Sequence, residues 1–210
     1  MQIRVKAGES LTLNPSPATG EGLEIELEAR AHLSLTQVTF CEGEQAQNWR
    51  VTFLGEHASC NLNFLDLVKQ SGHLRTSVEV FHNVPNCKSR QLHKGLYADD
   101  AQGFLKAYVA VPFGALGTDA GQLHRSLLLS PNARVHAEPH LEINADAVQC
   151  RHGASIGQLD ASALFYMKAR GLNEVMAKRL LIQAFAGEVL QSIDDTAMRD
   201  ELTQQVFAWI

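Results

Sequence analysis

With 210 residues, 45% of them hydrophobic and 20% charged, the chain is long enough to bury a sizeable core as one domain or one and a half. A formal net charge of −5 with scattered Lys and Arg excludes a basic stripe for nucleic acid, and no apolar run approaches a membrane span. Met1-Gln2-Ile3-Arg4-Val5-Lys6 lacks the apolar stretch of a signal peptide, and cysteines at 41, 60, 87 and 150 form neither a CxxC pair nor a disulfide framework, so a soluble cytoplasmic protein is expected.

From Ile3 to about Asp160, short alternating runs are broken by polar or glycine turns. Leu11-Thr12-Leu13 is followed by the strong punctuation of Asn14-Pro15-Ser16-Pro17 and Gly20. Leu23, Ile25 and Leu27 then alternate with Glu24, Glu26 and Glu28, the clearest two-residue period in the chain. Leu33, Leu35, Val38 and Phe40 continue the theme up to a turn at Glu42-Gly43-Glu44-Gln45. Further runs begin at Val51, Cys60 and Val78, and then come Leu105 to Phe113, Ser126 to Leu129, and Leu141 with Ile143. Turns at Gly55-Glu56-His57-Ala58, Gln70-Ser71-Gly72-His73 and Ser130-Pro131-Asn132-Ala133 separate them. Many short strands at such intervals fit a β-sandwich or the rungs of a β-solenoid, and the pattern alone leaves both open.

The period then changes. Asp160 or Ser162 caps a helix running to Arg170, with Gly171 placed to stop it. Asn173 caps a second, along which Met176, Ala177, Leu180, Leu181, Ala184, Phe185, Val189 and Leu190 form an apolar stripe. Asp194 or Asp195 caps a third, with Met198, Leu202, Val206 and Trp209 at three- and four-residue steps. These stripes must be buried on the β region, on each other or on a partner.

The stretch around which the rest is organised is Cys150-Arg151-His152-Gly153-Ala154. On a strand, Cys150 and His152 share one face, and a thiol beside an imidazole suits a borderline metal or sulfur transfer. Of the nine histidines, His32, His57 and His73 lie near turns, and His82 is expected to face a groove. His93 and His124, next to Lys94 and Arg125, are expected at the surface, while stacking of rungs would bring His136, His140 and His152 toward Cys150. The acids available for hydrolytic chemistry are Asp99, Asp100, Asp119, Glu138, Glu142 and Asp146. No phosphate-binding glycine loop or HExxH occurs, and Gly153 and Gly157 suit turns or close approaches.

Taken together, Leu127-Leu128-Leu129-Ser130, Pro139-His140-Leu141-Glu142-Ile143, Ala145-Asp146, Val148, Cys150, His152-Gly153-Ala154 and Gly157-Gln158-Leu159-Asp160 resemble the C-terminal core of the SufB/SufD family of iron–sulfur cluster assembly scaffolds. Leu164-Phe165-Tyr166, Arg170-Gly171 and Ala177 to Leu190 extend the resemblance, as do His82, Cys87-Lys88-Ser89, Lys94-Gly95, Thr118-Asp119 and Gln122 upstream. Gly153 favours the SufD branch, since SufB carries a Glu after this histidine. The resemblance implies a right-handed parallel β-helix over residues 1–160 followed by C-terminal helices over 161–210. It implies a non-catalytic scaffold that pairs with a SufB-type paralogue through its β-helix end, or with itself when alone. Its helices, through Phe165, Tyr166, Arg170, Leu180 and Phe185, would engage a SufC-type ATPase. Cys150 and His152 would handle iron or a transient iron–sulfur cluster in the assembled complex, none being expected in the isolated chain, with Asp146, Gly153 and Ala154 at the subunit interface.

Two departures accompany the resemblance. Ala147 stands where the family has a second Asp, and SufD proteins are about twice this length, so the chain is expected to begin partway along the β-helix or to carry its own cap near Leu11 to Pro17. Outside this family, a β-helix enzyme acting on polysaccharide and a self-associating structural protein without metal remain the competing expectations.

Overall fold

The computed structural model of the chain describes residues 1–14 and 22–210. The punctuation expected at Pro15, Ser16, Pro17 and Gly20, and with it the last three residues of the expected cap, lies outside the described residues. Among the described residues twelve strands come first: β1 (Gln2–Val5), β2 (Ser10–Leu13), β3 (Leu23–Leu27), β4 (His32–Cys41), β5 (Glu44–Phe53), β6 (Ser59–Val68), β7 (His73–His82), β8 (Lys88–Tyr97), β9 (Gln102–Val111), β10 (Asp119–Leu128), β11 (Arg134–Ile143) and β12 (Gln149–Gly157). Three helices follow: α1 (Ala161–Ala169), α2 (Glu174–Leu190) and α3 (Thr196–Trp209).

The odd strands form one six-stranded sheet and the even strands the other, each in sequence order. Every recorded pairing is parallel, and each strand skips its chain neighbour to bond the strand one turn earlier. Antiparallel pairing of chain neighbours would mark a sandwich; this arrangement is a parallel β-helix. Ser10, His32, Ser59, Lys88, Asp119 and Gln149 stand one above another, so successive turns take 22, 27, 29, 31 and 30 residues.

Alternation within each strand sends one set of side chains into the lumen, where register stacks like on like. In the odd sheet Ile3, Ile25, Val51, Val80, Val109 and Leu141 form one such column. Its four central members are at most 1% exposed, each side chain contributing about 1.5–3 kcal/mol by leaving water. Where Tyr97 turns inward, its ring occupies the space above two glycines. A Cβ on Gly103 would lie 2.3 Å from Tyr97 Cε1, and one on Gly95 2.5 Å from Tyr97 Cε2, so neither position accepts a side chain.

The outer face of the even sheet carries a second core. Leu65, Leu67 and Leu96 pack against Ile182, Ala186, Val189 and Leu190 of α2 and Leu202 and Val206 of α3. Thus the stripes expected to need a cover find it largely on the β-helix itself. Each helix starts on its own cap: Asp160 Oδ1 accepts from Ser162 N at 2.8 Å, Asn173 Oδ1 from Met176 N at 2.8 Å and Asp195 Oδ1 from Met198 N at 3.1 Å. Gly171, at φ 92°, ends α1. Unlike the others, α1 buries no residue. Among the described residues no helix is long and apolar enough to cross a membrane.

One corner of the solenoid repeats a left-handed turn. Two residues before each even strand stand Gly8, Arg30, His57, Asn86, Gly117 and Ala147, all with φ between 53° and 75°. Along this column the N–H of Gly8 donates to Ala29 O, Arg30 to Glu56 O, Asn86 to Leu116 O and Gly117 to Ala147 O, so the turn extends the rung-to-rung bonding beyond the strands. Ala147 is the poorest fit, because an alanine at positive φ lacks the side-chain amide or carboxylate that makes this region tolerable for Asn and Asp. Ala147→Asn is therefore expected to stabilise the fold by about 0.5–1 kcal/mol. Thermal unfolding should record a raised midpoint, and an unchanged or lowered midpoint would show that the turn is unstrained.

Candidate functional site

β12 is the last rung of the even sheet and β11 the last of the odd sheet, each bonded on one side only among the described residues. Register fixes where the side chains of β12 point. Cys150 stands over Ala120, Ser89 and Cys60; His152 over Gln122, Gln91 and Leu62; and Ala154 over His124, His93 and Phe64. Since those lower residues are buried in the lumen, Cys150 and His152 belong to the same inward face, two residues and roughly 6.5–7 Å apart along the strand. No further rung covers them, so the lumen opens here: Cys150 is half-buried against the core and His152 exposed. Burial pushes the Cys150 thiol above its ordinary value, partly offset by a backbone contact with Ala120, which keeps it protonated at neutral pH. Among the described residues no three His, Cys, Asp or Glu side chains converge closely enough to hold a metal.

Beneath this mouth the lumen turns polar. Asp66 Oδ2 and His93 Nε2 are 2.6 Å apart, both almost wholly buried, and Thr76 Oγ1 donates to the same oxygen at 3.4 Å. His93 stacks on Phe64 at 5.3 Å and meets His124 edge-on at 6.0 Å. Lower on the other side, His82 is sealed from solvent, bonded to Ser89 Oγ at 2.8 Å and stacked on Phe53 at 4.5 Å.

These placements correct several expectations. His82 faces no groove, and His93 and His124 are lumenal, because the inward phase of β8 and β10 passes through Ser89, Gln91 and His93 and through Ala120, Gln122 and His124. Lys94, taken as a surface neighbour, is 2% exposed under α2, with Nζ donating to Phe185 O at 2.8 Å, pairing with Glu188 and lying 4.4 Å from the Phe185 ring centre. His136 and His140 do not join Cys150: they stand on the outer face of the odd sheet, stacked on Phe104 and Tyr108. A Cβ on Gly153 would meet Leu123 Cδ1 at an ordinary 3.5 Å, so no close approach requires glycine there.

Of the other singled-out residues, Asp146 is exposed in the turn before β12, and Ala154 extends the inward face of the last rung. Phe165 and Tyr166 are 75% and 58% exposed on α1, Arg170 lies over the Tyr166 ring, Leu180 is half-buried and Phe185 packs on Lys94. The candidate acids do not gather in one groove: Asp119 pairs with Arg90 outside the even sheet, Glu138 and Glu142 bond His136 and Tyr108 outside the odd sheet, and Asp99 and Asp100 occupy a turn. The Asp66–His93 pair had a signal in the sequence only through the two-residue phase of Ser89, Gln91 and His93, which polar identity obscured.

Comparison with known proteins follows the same lines. The family described as SUF system FeS cluster assembly, SufBD core domain, matches residues 18–185. The chain is 36% identical over 157 residues to the iron–sulfur cluster assembly protein SufD of Escherichia coli, covering 74% of this chain and 36% of that protein. It is 45% identical over 124 residues to an iron–sulfur cluster assembly SufBD family protein of Synechocystis, covering 59% and 27%. With the chloroplastic protein ABCI7 of Arabidopsis thaliana it shares 34% identity over 183 residues, covering 87% and 38%. The chain thus spans about a third of the length of these relatives.

The buried imidazoles set a pH limit on the fold. Burial lowers His82 from 6.5 to about 4 and His124 to about 3, the latter helped by the neighbouring His93 and His152. A folded-state value below the unfolded one means full stability above about pH 6.5, where both states are neutral, and loss as pH falls toward 4, because the unfolded chain takes up protons first. Urea unfolding at pH 7.5 and pH 5 should show the midpoint falling, and His82→Gln should shrink that difference; an equal fall in the variant would rule out His82 as a source.

Proposed function

Because the chain belongs to the SufBD core family of the SUF iron–sulfur cluster assembly system, we propose that it is a non-catalytic scaffold whose uncovered β-helix end meets a SufB-type paralogue and whose helices dock a SufC-type ATPase in the cytoplasm. The observation that carries this reading is the coincidence at one end of the molecule of an unpaired terminal rung and an inward-facing Cys150 and His152. Parallel strands β11 and β12 offer backbone groups to a further strand, and a partner adding one would close the lumen over the thiol and imidazole. Two ligands leave at least two positions of a tetrahedral iron to be filled from elsewhere. A shared site with iron or a nascent cluster as transient cargo suits that arithmetic, the metal displacing the thiol proton as it binds. Asp146, Gly153 and Ala154 would line the joint. Paired with itself, the chain would form a homodimer through the same end.

In this reading the ATPase would contact α1, on which Phe165, Tyr166 and Arg170 are exposed and no residue is buried. Leu180 and Phe185 of α2 would back this surface, Phe185 through its packing on Lys94. Co-expression with SufB-type and SufC-type partners and anaerobic purification provides the test. His152→Ala should leave the complex assembled while lowering its iron content, and Phe165→Ala with Tyr166→Ala should release the ATPase alone. Absence of association with either partner, or iron unchanged by His152→Ala, would defeat the corresponding half of the proposal.

A further inference from the structure

Among the described residues no helix packs on the outer face of the odd sheet, and two of its cations are neutralised in ladders: Arg4 by Glu26, and Arg50 by Glu79 and Glu24. One rectangle departs from this pattern. Pairing places His73, Gln102 and Arg134 in one row across β7, β9 and β11, and Arg75, Phe104 and His136 in the next. These six side chains face outward around a pocket of about 520 Å3 with no carboxylate in its lining. Arg75 makes no hydrogen bond or ion pair among the described residues, while Arg134 is steadied by Nη1 bonds to Pro131 O and Ala133 O that leave its remaining donors available. The nearest acids are engaged or outside: Glu138 bonds His136, Asp100 accepts from Asn132, and Glu44 stands beside His73 on β5 beyond the pocket. Phe104, 38% exposed, stacks on His136 with ring centres 5.5 Å apart and planes at 18°.

We propose that this pocket binds a small aromatic phosphate of the mononucleotide type, with its phosphate between Arg75, Gln102 and Arg134 and its ring on the Phe104–His136 stack. Rungs about 4.8 Å apart bring donors from three adjacent strands onto one group, which matches the several oxygens of a phosphate better than the two of a carboxylate. Guanidinium groups supply forked, permanently charged donors for such an oxyanion. Gln102 and Arg134 stand one two-residue step, roughly 6.5–7 Å, along the strands from Phe104 and His136, room for a sugar between phosphate and ring, while Arg75, in the aromatic row on β7, must extend back along the strand to meet the phosphate. The volume falls within the range of roughly 300–1,000 Å3 usual for small-ligand sites. Nothing in this assignment depends on the cluster chemistry at Cys150 and His152, which lie on the other sheet.

Calorimetric titration of the whole chain at low ionic strength with AMP, inorganic phosphate and adenosine tests it. AMP should saturate one site and bind about tenfold more tightly than phosphate, with adenosine weaker still. Arg75→Gln should weaken both AMP and phosphate by about tenfold. Phe104→Ala should weaken AMP alone, and Arg50→Gln on the same face should change neither. Both pocket side chains are exposed, so the variants should melt with the parent, which thermal unfolding verifies. No saturable AMP binding, AMP no tighter than phosphate, or affinity indifferent to Arg75→Gln would overturn the assignment.

Discussion

Register between parallel rungs is the constraint on which everything else in this molecule rests. A slip of one residue would turn Ile25, Val51, Val80 and Val109 outward and bring the acids and arginines of the outer ladders into the lumen. The left-handed corner holds that register from turn to turn, because the peptides of Arg30, Asn86 and Gly117 are bonded to the turn above before the next strand begins. The orientation of Cys150 and His152 is thus inherited, rung by rung, from residues more than a hundred positions earlier.

The lumen changes character along its axis. One column passes from Leu33 through Cys60, Ser89 and Ala120 to Cys150, another from Leu35 through Leu62, Gln91 and Gln122 to His152. Apolar packing dominates early and gives way to amides, imidazoles and the Asp66–His93 pair near the open end. Buried polar groups are costly unless bonded, and several atoms here, including His93 Nδ1, His124 Nδ1 and both polar atoms of the Gln122 amide, have no hydrogen-bond partner among the described residues. In these columns apolar side chains fill the earlier turns of the solenoid and polar ones the later turns.

Much of this was legible in the sequence. Leu23, Ile25 and Leu27 announced their strand by simple alternation, and Asp160, Asn173 and Gly171 marked helix ends because capping is local. The choice between sandwich and solenoid was not local: turns of 22 to 31 residues hide the repeat, and only the family resemblance supplied the parallel β-helix that the strand pairings display. His93 and His124 were misplaced because a charged neighbour suggests solvent, whereas alternate residues of a strand face opposite ways and Lys94 itself is roofed by α2. His136 and His140 were close in sequence to Cys150 but fell on the opposite sheet, since each turn of the solenoid visits both.

The clamp between α2 and the even sheet governs how force would travel. Ser192, just past α2, bonds Thr36 of β4 at 2.8 Å, and α2 itself is fastened to Lys94 of β8, so the helix lies along the stacking axis as a splint across inner rungs. Its polar contacts reach β10 through Glu188 and Arg125, one rung short of β12. A load applied at α1 therefore reaches the solenoid by two routes, through α2 onto its inner rungs and through residues 158–160 directly onto the terminal rung bearing Cys150 and His152. That rung is held to the rest of the solenoid by its ladder of nine paired residues with β10.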